Sequence, residues 1–200
     1  MNQQLIENPI IKLAGITFSY PGALPVLKDL DFTLSDGDRI GMIAPNGSGK
    51  TTLFHIIMGL LKPTAGRIEI FGQRVAEEED FVAVRRRIGL LFQDADDQLF
   101  SPTVLEDVAF GPLNLGKSKE EAIAISRKTL SFLGLEVFED RITIRLSGGE
   151  KRLVSLATVL AMEPRAMLLD EPSAGLDEAT KNRLIDILKN LDISYVIVSH

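Results

Sequence analysis

"RIGMIAPNGSGKTT", Arg39 to Thr52, runs from an apolar stretch through a glycine-rich segment into a helical pattern. A strand that opens onto such a loop just before a helix has the chemistry of a phosphate cradle. Gly47 and Gly49 let the backbone of the loop, Ala44 to Ser48 with Pro45 and Asn46 between them, close on phosphate oxygens. Lys50 reaches the β and γ oxygens, Thr51 offers a hydroxyl to Mg²⁺, and Thr52 follows in the first helical turn. The general pattern has glycine where this chain has Ala44. An extra methyl is tolerable there if φ is negative and strained if φ is positive. The competing reading is an ordinary strand-turn-helix; the density of the loop and its context favour the cradle.

The surroundings read as alternating strands and helices, which argues for an α/β fold. "IKLAGITFSY" and "LKDLDFTL" alternate partially, as half-buried strands do, and "GRIEIFG" is a third such segment bounded by glycines. Four further runs, "RIGMIA", "RIGLLF", "AMLLD" and "SYVIVS", are more continuously apolar, as expected of parallel strands buried on both faces. Helical patterns cover residues 50–60, 119–133, 148–162 and 177–191. Each of the four apolar runs ends in polar chemistry: the phosphate loop, Gln93, Asp170 with Glu171, and His200. Ligands of open α/β sheets bind beyond the carboxyl ends of the strands, so four such endings point to one site.

A second glycine-rich stretch is "LSGGE", Leu146 to Glu150. Ser147 as N-cap and Glu150 three residues later make a capping box. That leaves Gly148 and Gly149 unexplained, since each costs roughly 0.5–1 kcal/mol against alanine in a helical turn. Paired glycines fit close approach of something to the backbone, and a helix N-terminus attracts anions.

Composition narrows the classes. Two hundred residues, 45% hydrophobic and 25% charged, make one globular domain with a sizeable core. A net charge of −6 disfavours non-specific nucleic-acid binding. The acidic run Glu77 to Asp80 and the basic run Arg85 to Arg87 read as solvated surface. No cysteine is present, so there is neither a disulfide framework nor a thiolate metal site. The first residues lack a signal-peptide pattern, and no apolar run approaches the ~20 residues needed to span a bilayer. A cytoplasmic chain is expected, with peripheral membrane attachment left open.

Taken singly, several candidates have bland readings beside sharp ones. Asp170 suits a Mg²⁺ ion held through water and Glu171 an attacking water, but the pair also fits an acidic strand end before a turn at Pro172. Tyr20 could stack on an adenine or simply cover the core. Gln93 alone is a polar residue leaving a strand, and His200 is the last residue. His55, inside the helix after the loop, reads as a packing residue. Asp94, Asp96 and Asp97 read as solvated carboxylates rather than a metal site. The absence of an Asn-Lys-x-Asp segment leaves guanine recognition unsupported.

The order of these motifs resembles the ATPase subunit of ATP-binding cassette transporters, over essentially the whole chain. Tyr20 matches that family's adenine-stacking aromatic, Ala44 to Thr51 its phosphate loop, and Gln93 its Q-loop. "LSGGE" matches the signature, "AMLLDE" the Mg²⁺ and catalytic carboxylates, "SAGLD" (Ser173 to Asp177) the D-loop, and His200 the switch histidine. The resemblance implies a P-loop NTPase fold with a mainly parallel core sheet, an N-terminal antiparallel β subdomain and a helical subdomain at about 94–162, all in one domain over 1–200. It also implies ATP and Mg²⁺ as cofactors, with Glu171, His200 and Gln93 catalytic and Thr51, Gln93 and Asp170 around the metal. Ser147, Gly148 and Gly149 would contact the γ-phosphate of ATP held by a second subunit, the same or a different chain. Two departures accompany Ala44: Glu150 stands where glutamine is common, and the family normally continues past the histidine, so truncation after His200 is expected.

A finer resemblance lies in "FQDADDQLFSPTVLEDVAFGPLNLG", Phe92 to Gly116, which looks like the energy-coupling-factor branch and most like its cobalt or nickel importers. It implies a transmembrane coupling subunit docked on the helical subdomain, a substrate-binding membrane component, and a place on the cytoplasmic face of the membrane. With two histidines and no cysteine, selective cobalt or nickel ligation by this subunit is not expected. Three alternatives stand beside a metal importer: a vitamin-importing or other cassette transporter, a soluble cassette ATPase of translation or DNA maintenance, and a non-catalytic nucleotide-dependent dimerisation module.

Overall fold

The computed structural model describes residues 9–199; the expectation for His200 falls outside them. In chain order the elements are β1 (Ile11–Phe18), β2 (Leu27–Leu34), β3 (Arg39–Ile43), α1 (Lys50–Ile57), β4 (Ala65–Ile70), β5 (Gln73–Val75) and α2 (Glu78–Arg85). Then come β6 (Ile88–Leu91), α3 (Val104–Asn114), α4 (Lys119–Phe132), α5 (Gly148–Leu160), β7 (Ala166–Asp170), α6 (Glu178–Asn190) and β8 (Ser194–Ser199). Two four-stranded sheets result: an antiparallel one in the order β2-β1-β4-β5 and a parallel one in the order β3-β8-β7-β6.

The antiparallel sheet carries the alternation seen in the sequence. Ile11, Leu13, Ile16 and Phe18 of β1 turn inward, with exposed Lys12 and Ala14 between them. Register shifts on both sides of β1 fall between residues 13 and 18, the segment that holds Gly15. There β4 comes so close that a Cβ on Gly66 would sit 2.6 Å from the Gly15 carbonyl oxygen, and Gly66 also has φ +103°, so only glycine fits.

Buried residues of β1, β4, α1 and the parallel sheet form one core, centred on Phe54, Ile56 and Ile57. A second core lies between the other face of the parallel sheet and α3, α5 and α6, around Val108, Leu153, Leu156 and Leu184. Sandwiching the sheet in this way buries every residue of β6 and β7, as expected of continuously apolar strands.

β3 departs from that expectation. It alternates between exposed and half-buried positions, and Ile43 is 84% exposed. The reason is its place in the sheet: among the described residues β3 pairs only with β8, and so forms an edge. The acidic run Glu77–Asp80 is exposed, as are Arg86 and Arg87, with Arg85 half-buried, in keeping with solvated surface; the segment from 77 to 87 also has a folded core side. It holds α2, closed by a capping box between Glu77 and Asp80, with Phe81 and Val84 buried.

Candidate functional site

The parallel register of β3, β8, β7 and β6 brings their carboxyl ends to one edge. After β3 the chain turns through residues 44–49 into α1. Gly47 and Gly49 have φ of +77° and +91°, the left-handed region that favours glycine. Gly49 is the N-cap of α1, and a Cβ there would lie 2.7 Å from Leu27 and 2.9 Å from Val26. Ala44 is not among the residues with positive φ, so its methyl is accommodated without strain. Lys50 is 8% exposed, and its Nζ donates to the carbonyls of Ala44 (2.7 Å) and Pro45 (3.0 Å) across the mouth of the loop. The loop thus presents the N-terminus of α1 and one buried ammonium to the same space. That combination suits a polyphosphate.

A cleft of about 730 Å³ opens beside the loop, lined by Thr51, His55, Phe92, Gln93, Asp170 and Gly175, among others. Asp170 ends β7 and is only 3% exposed, and its Oδ1 has no hydrogen-bond partner. Burial pushes its carboxyl above the usual aspartate range, opposed by a hydrogen bond from Thr51 and by the charges of His55 and Lys50. An orphaned carboxylate oxygen in such a place is what a hard cation would satisfy, and Thr51 and Gln93 add neutral oxygen donors. Glu171 follows with φ +45°, an unusual backbone for a non-glycine residue. Gln93 Nε2 donates to Glu171 Oε2 at 3.3 Å, joining the ends of β6 and β7. His55, read from sequence as a packing residue, has its ring 6.5 Å from that of Phe92 and also lines the cleft.

Tyr20 stands on the loop's flank. Its ring meets Phe18 edge to face with centroids 5.0 Å apart, and its hydroxyl is 3.1 Å from Thr52 Oγ1. The contact with the core and an exposed ring face are therefore both present.

The "LSGGE" stretch opens α5, and the capping box is formed: Ser147 N–H donates to Glu150 Oε2 at 2.7 Å and Glu150 N–H to Ser147 Oγ at 3.3 Å. Among the described residues, packing within the chain explains neither glycine. A Cβ on Gly148 would meet nothing within 4 Å, and one on Gly149 would make only ordinary contact with Thr180 and Leu176. Their φ values are not positive either.

Two residues of the region had not been singled out. Arg152 of α5 is 4% exposed and donates to three main-chain carbonyls, Phe92 and Gln93 (both 2.5 Å) and Glu171 (3.1 Å). Burial pulls its guanidinium below the usual arginine range, against the attraction of Asp94, Asp170 and Glu171. The available signal was a lone basic residue on the apolar face of a helix. Asp107 of α3 is also buried; its Oδ1 accepts from the N–H groups of Phe100 (3.1 Å) and Ser101 (2.9 Å), while Oδ2 has no partner. Asp107 lines a groove of about 320 Å³ with Leu60, Phe100, Phe110 and Met162, and Phe100 is 66% exposed. Of the three aspartates after Gln93, Asp96 pairs with Lys151 at 2.5 Å, and the described residues contain no cluster of three or more metal-ligating side chains.

The chain is similar to known proteins over most of its length. Residues 27–174 match the family model described as ABC transporter. A putative ABC transporter ATP-binding protein of Nitratidesulfovibrio vulgaris is 55% identical over 96% of this chain and 71% of its own length. An energy-coupling factor transporter ATP-binding protein of Methanothermobacter thermautotrophicus is 44% identical over 96% of this chain and 63% of its own. A cobalt import ATP-binding protein of Rhodobacter capsulatus is 44% identical over 92% and 66%. Among solved structures, cbiO1 of Clostridium perfringens, part of the ABC transporter complex cbiONQ, superposes with a TM-score of 0.86 at 35% identity, covering 97% of this chain and 79% of that one.

Proposed function

The chain belongs to the ABC transporter family, and from that premise we propose that it is the ATP-hydrolysing subunit of an energy-coupling-factor importer for cobalt or nickel ions. The observation that carries the hydrolytic part is that Thr51, Gln93 and Asp170 line one cleft at the carboxyl edge of the parallel sheet, with Lys50 on the adjoining loop and Glu171 hydrogen-bonded to Gln93. The metal cargo is supported by the cobalt import relative alone, and its recognition is assigned to a membrane component.

In this reading the backbone of residues 44–49 and the N-terminus of α1 hold the phosphates, with Lys50 exchanging its carbonyl partners for β and γ oxygens. Thr51, Gln93 and Asp170 would hold Mg²⁺, which neutralises charge on those oxygens. Glu171 polarises the attacking water and takes up its proton, and Gln93, hydrogen-bonded to it, orients its carboxylate. Tyr20 stacks on the adenine. Ser147, Gly148 and Gly149 receive the γ-phosphate of ATP bound to a second cassette, the approach that intrachain packing leaves room for. His200 acts at the same phosphate. No described helix is long and apolar enough to cross a membrane, and this reading assigns the membrane path to partner subunits. In this reading the groove around Phe100 and Phe110 is the face offered to a transmembrane coupling subunit, with the protein on the cytoplasmic side of the membrane.

The test joins two measurements. Glu171→Gln keeps ATP binding, cuts hydrolysis to a residual single-turnover rate and accumulates an ATP-dependent dimer in light scattering, and Ser147→Arg abolishes that dimer; dimerisation indifferent to Ser147→Arg refutes the intersubunit role. Cells co-expressing the neighbouring membrane subunits accumulate labelled Co²⁺ or Ni²⁺ only with unsubstituted Glu171. Accumulation of neither ion removes the metal cargo and leaves the ATPase standing.

A further inference from the structure

Arg152 lies on α5, one turn beyond the Ser147–Gly149 segment, and reaches into the interior. Its hydrogen bonds fan out to two different strand ends: the carbonyls of Phe92 and Gln93 after β6, and the carbonyl of Glu171 after β7. A planar guanidinium with five donors can serve three such acceptors at once; an ammonium has no comparable fork.

The same helix is stitched to the segment after β6 at further points. Lys151 pairs with Asp96, while Gln98 donates to Ser155 O (2.9 Å) and Thr158 Oγ1 (2.8 Å). The start of α5 and residues 92–98 therefore form one body. Glu171 belongs to the other, the sheet. Its N–H donates to Val198 O at 3.1 Å, and its carbonyl accepts from Ala174 N–H at 3.0 Å. Its left-handed backbone is held by these bonds together with that from Arg152. The Gln93–Glu171 hydrogen bond spans the two bodies, and Arg152 grips the main chain on both sides of it.

We infer that Arg152 is a positioning residue for hydrolysis, fixing Glu171 against Gln93 and transmitting to them the position of the Ser147–Gly149 segment. This rests on the assignment of Glu171 as the residue that polarises water. Arg152 touches neither loop residues 44–49 nor Lys50 through any of these bonds, so it acts on turnover and not on nucleotide affinity.

A double-mutant cycle tests it, using single-turnover hydrolysis of ATP, affinity for the non-hydrolysable analogue AMP-PNP, and the melting temperature of each variant. Arg152→Met lowers the hydrolysis rate on the order of 100-fold, the effect of a misplacement near 1 Å. AMP-PNP affinity stays within about twofold, the tolerance for uncoupled sites. Arg152→Lys gives an intermediate rate, and it takes the same cycle if the methionine variant does not accumulate as folded protein. In a Glu171→Gln background the Arg152 substitution adds no more than about twofold to the loss, because the residue it positions is already disabled. Full additivity overturns the inference while leaving Glu171 catalytic, as does a loss that follows AMP-PNP affinity. Normal turnover by Glu171→Gln alone overturns the assignment of Glu171 and this inference with it.

Discussion

The Tyr20 hydroxyl lies 3.1 Å from Thr52 Oγ1, so the aromatic ring after β1 is tied to the first turn of α1. With Phe18 at its edge, the ring is held beside the phosphate loop. Tyr20→Ala is expected to weaken ATP binding by ~1–3 kcal/mol, the range for a base stacked on an aromatic side chain. Tyr20→Phe loses the hydroxyl contact but keeps the stacking face, and its loss is smaller. Inorganic tripolyphosphate, which has no base, should bind the alanine variant as it binds the parent. Calorimetric titrations with both ligands decide the matter; equal ATP affinity in parent and alanine variant rules out stacking.

Lys50 supplies the buried cation at the mouth of the loop, shared between the carbonyls of Ala44 and Pro45. Lys50→Ala should abolish measurable ATP turnover and weaken ATP binding. Ala44→Gly should do little, because Ala44 does not occupy the backbone region where a methyl is strained. Its affinity gain should stay below tenfold, ~1.4 kcal/mol. A larger gain in the same titration would mean that the methyl obstructs the bound phosphates.

Glu150 gives a prediction in pH. The Ser147 backbone N–H, then the Ser147 side chain, and more weakly Arg141, hold its carboxyl below the usual glutamate range. The folded state therefore binds fewer protons there than the unfolded chain does. The stabilisation is present above the ordinary glutamate pKa and is lost as pH falls through the lowered folded-state value. Glu150→Gln keeps an acceptor for Ser147 N–H but loses the 3.0 Å pair with Arg141, costing ~0.2–1 kcal/mol near neutrality. Urea midpoints should show the parent's advantage shrinking on acidification. An advantage that persists below the folded-state pKa would assign it to packing.

How much of this could be read in advance depended on whether a residue's role is local. The glycine-rich turn into α1, the capping box at Ser147 and the alternation of β1 are set by short-range chemistry, and the structure contains all three. α2 escaped because only Phe81 and Val84 are buried along it, too few to make a periodic signal. α3 is marked instead by a start signal, the Thr103–Glu106 capping box. The exposure of β3 could not be read locally, since an edge strand and a central one can share the same apolar run. Arg152 shows in the sequence only as a basic residue on an apolar helix face, and its role stays hidden for a related reason: its partners are carbonyls 60, 59 and 19 residues away, and carbonyls carry no side-chain signature. His55 lies one turn beyond Thr51, a spacing that puts both on one helix face, yet only the packing of Phe92 shows that this face looks into the cleft.

The groove beside α3 makes a prediction that separates docking from catalysis. Phe100 is 66% exposed, its ring set edge to face against Phe110 at 4.7 Å, and both line a depression with Leu60 and Met162. Aromatic side chains half-sunk in such a groove are the type that dominates interface energies, each worth ~2 kcal/mol or more when truncated. Phe100→Glu should therefore sharply reduce co-purification of the membrane coupling subunit and the transport it drives. ATP affinity of the isolated protein should be unchanged, because Phe100 does not line the cleft of Thr51, Gln93 and Asp170 proposed to hold the nucleotide. Phe132, exposed at the far end of α4 and outside this groove, provides the control: Phe132→Glu should leave co-purification intact. If Phe100→Glu co-purifies as well as the parent, the partner docks on another face. If both glutamate variants lose the partner equally, the effect comes from a general change in surface charge and the groove has no special role.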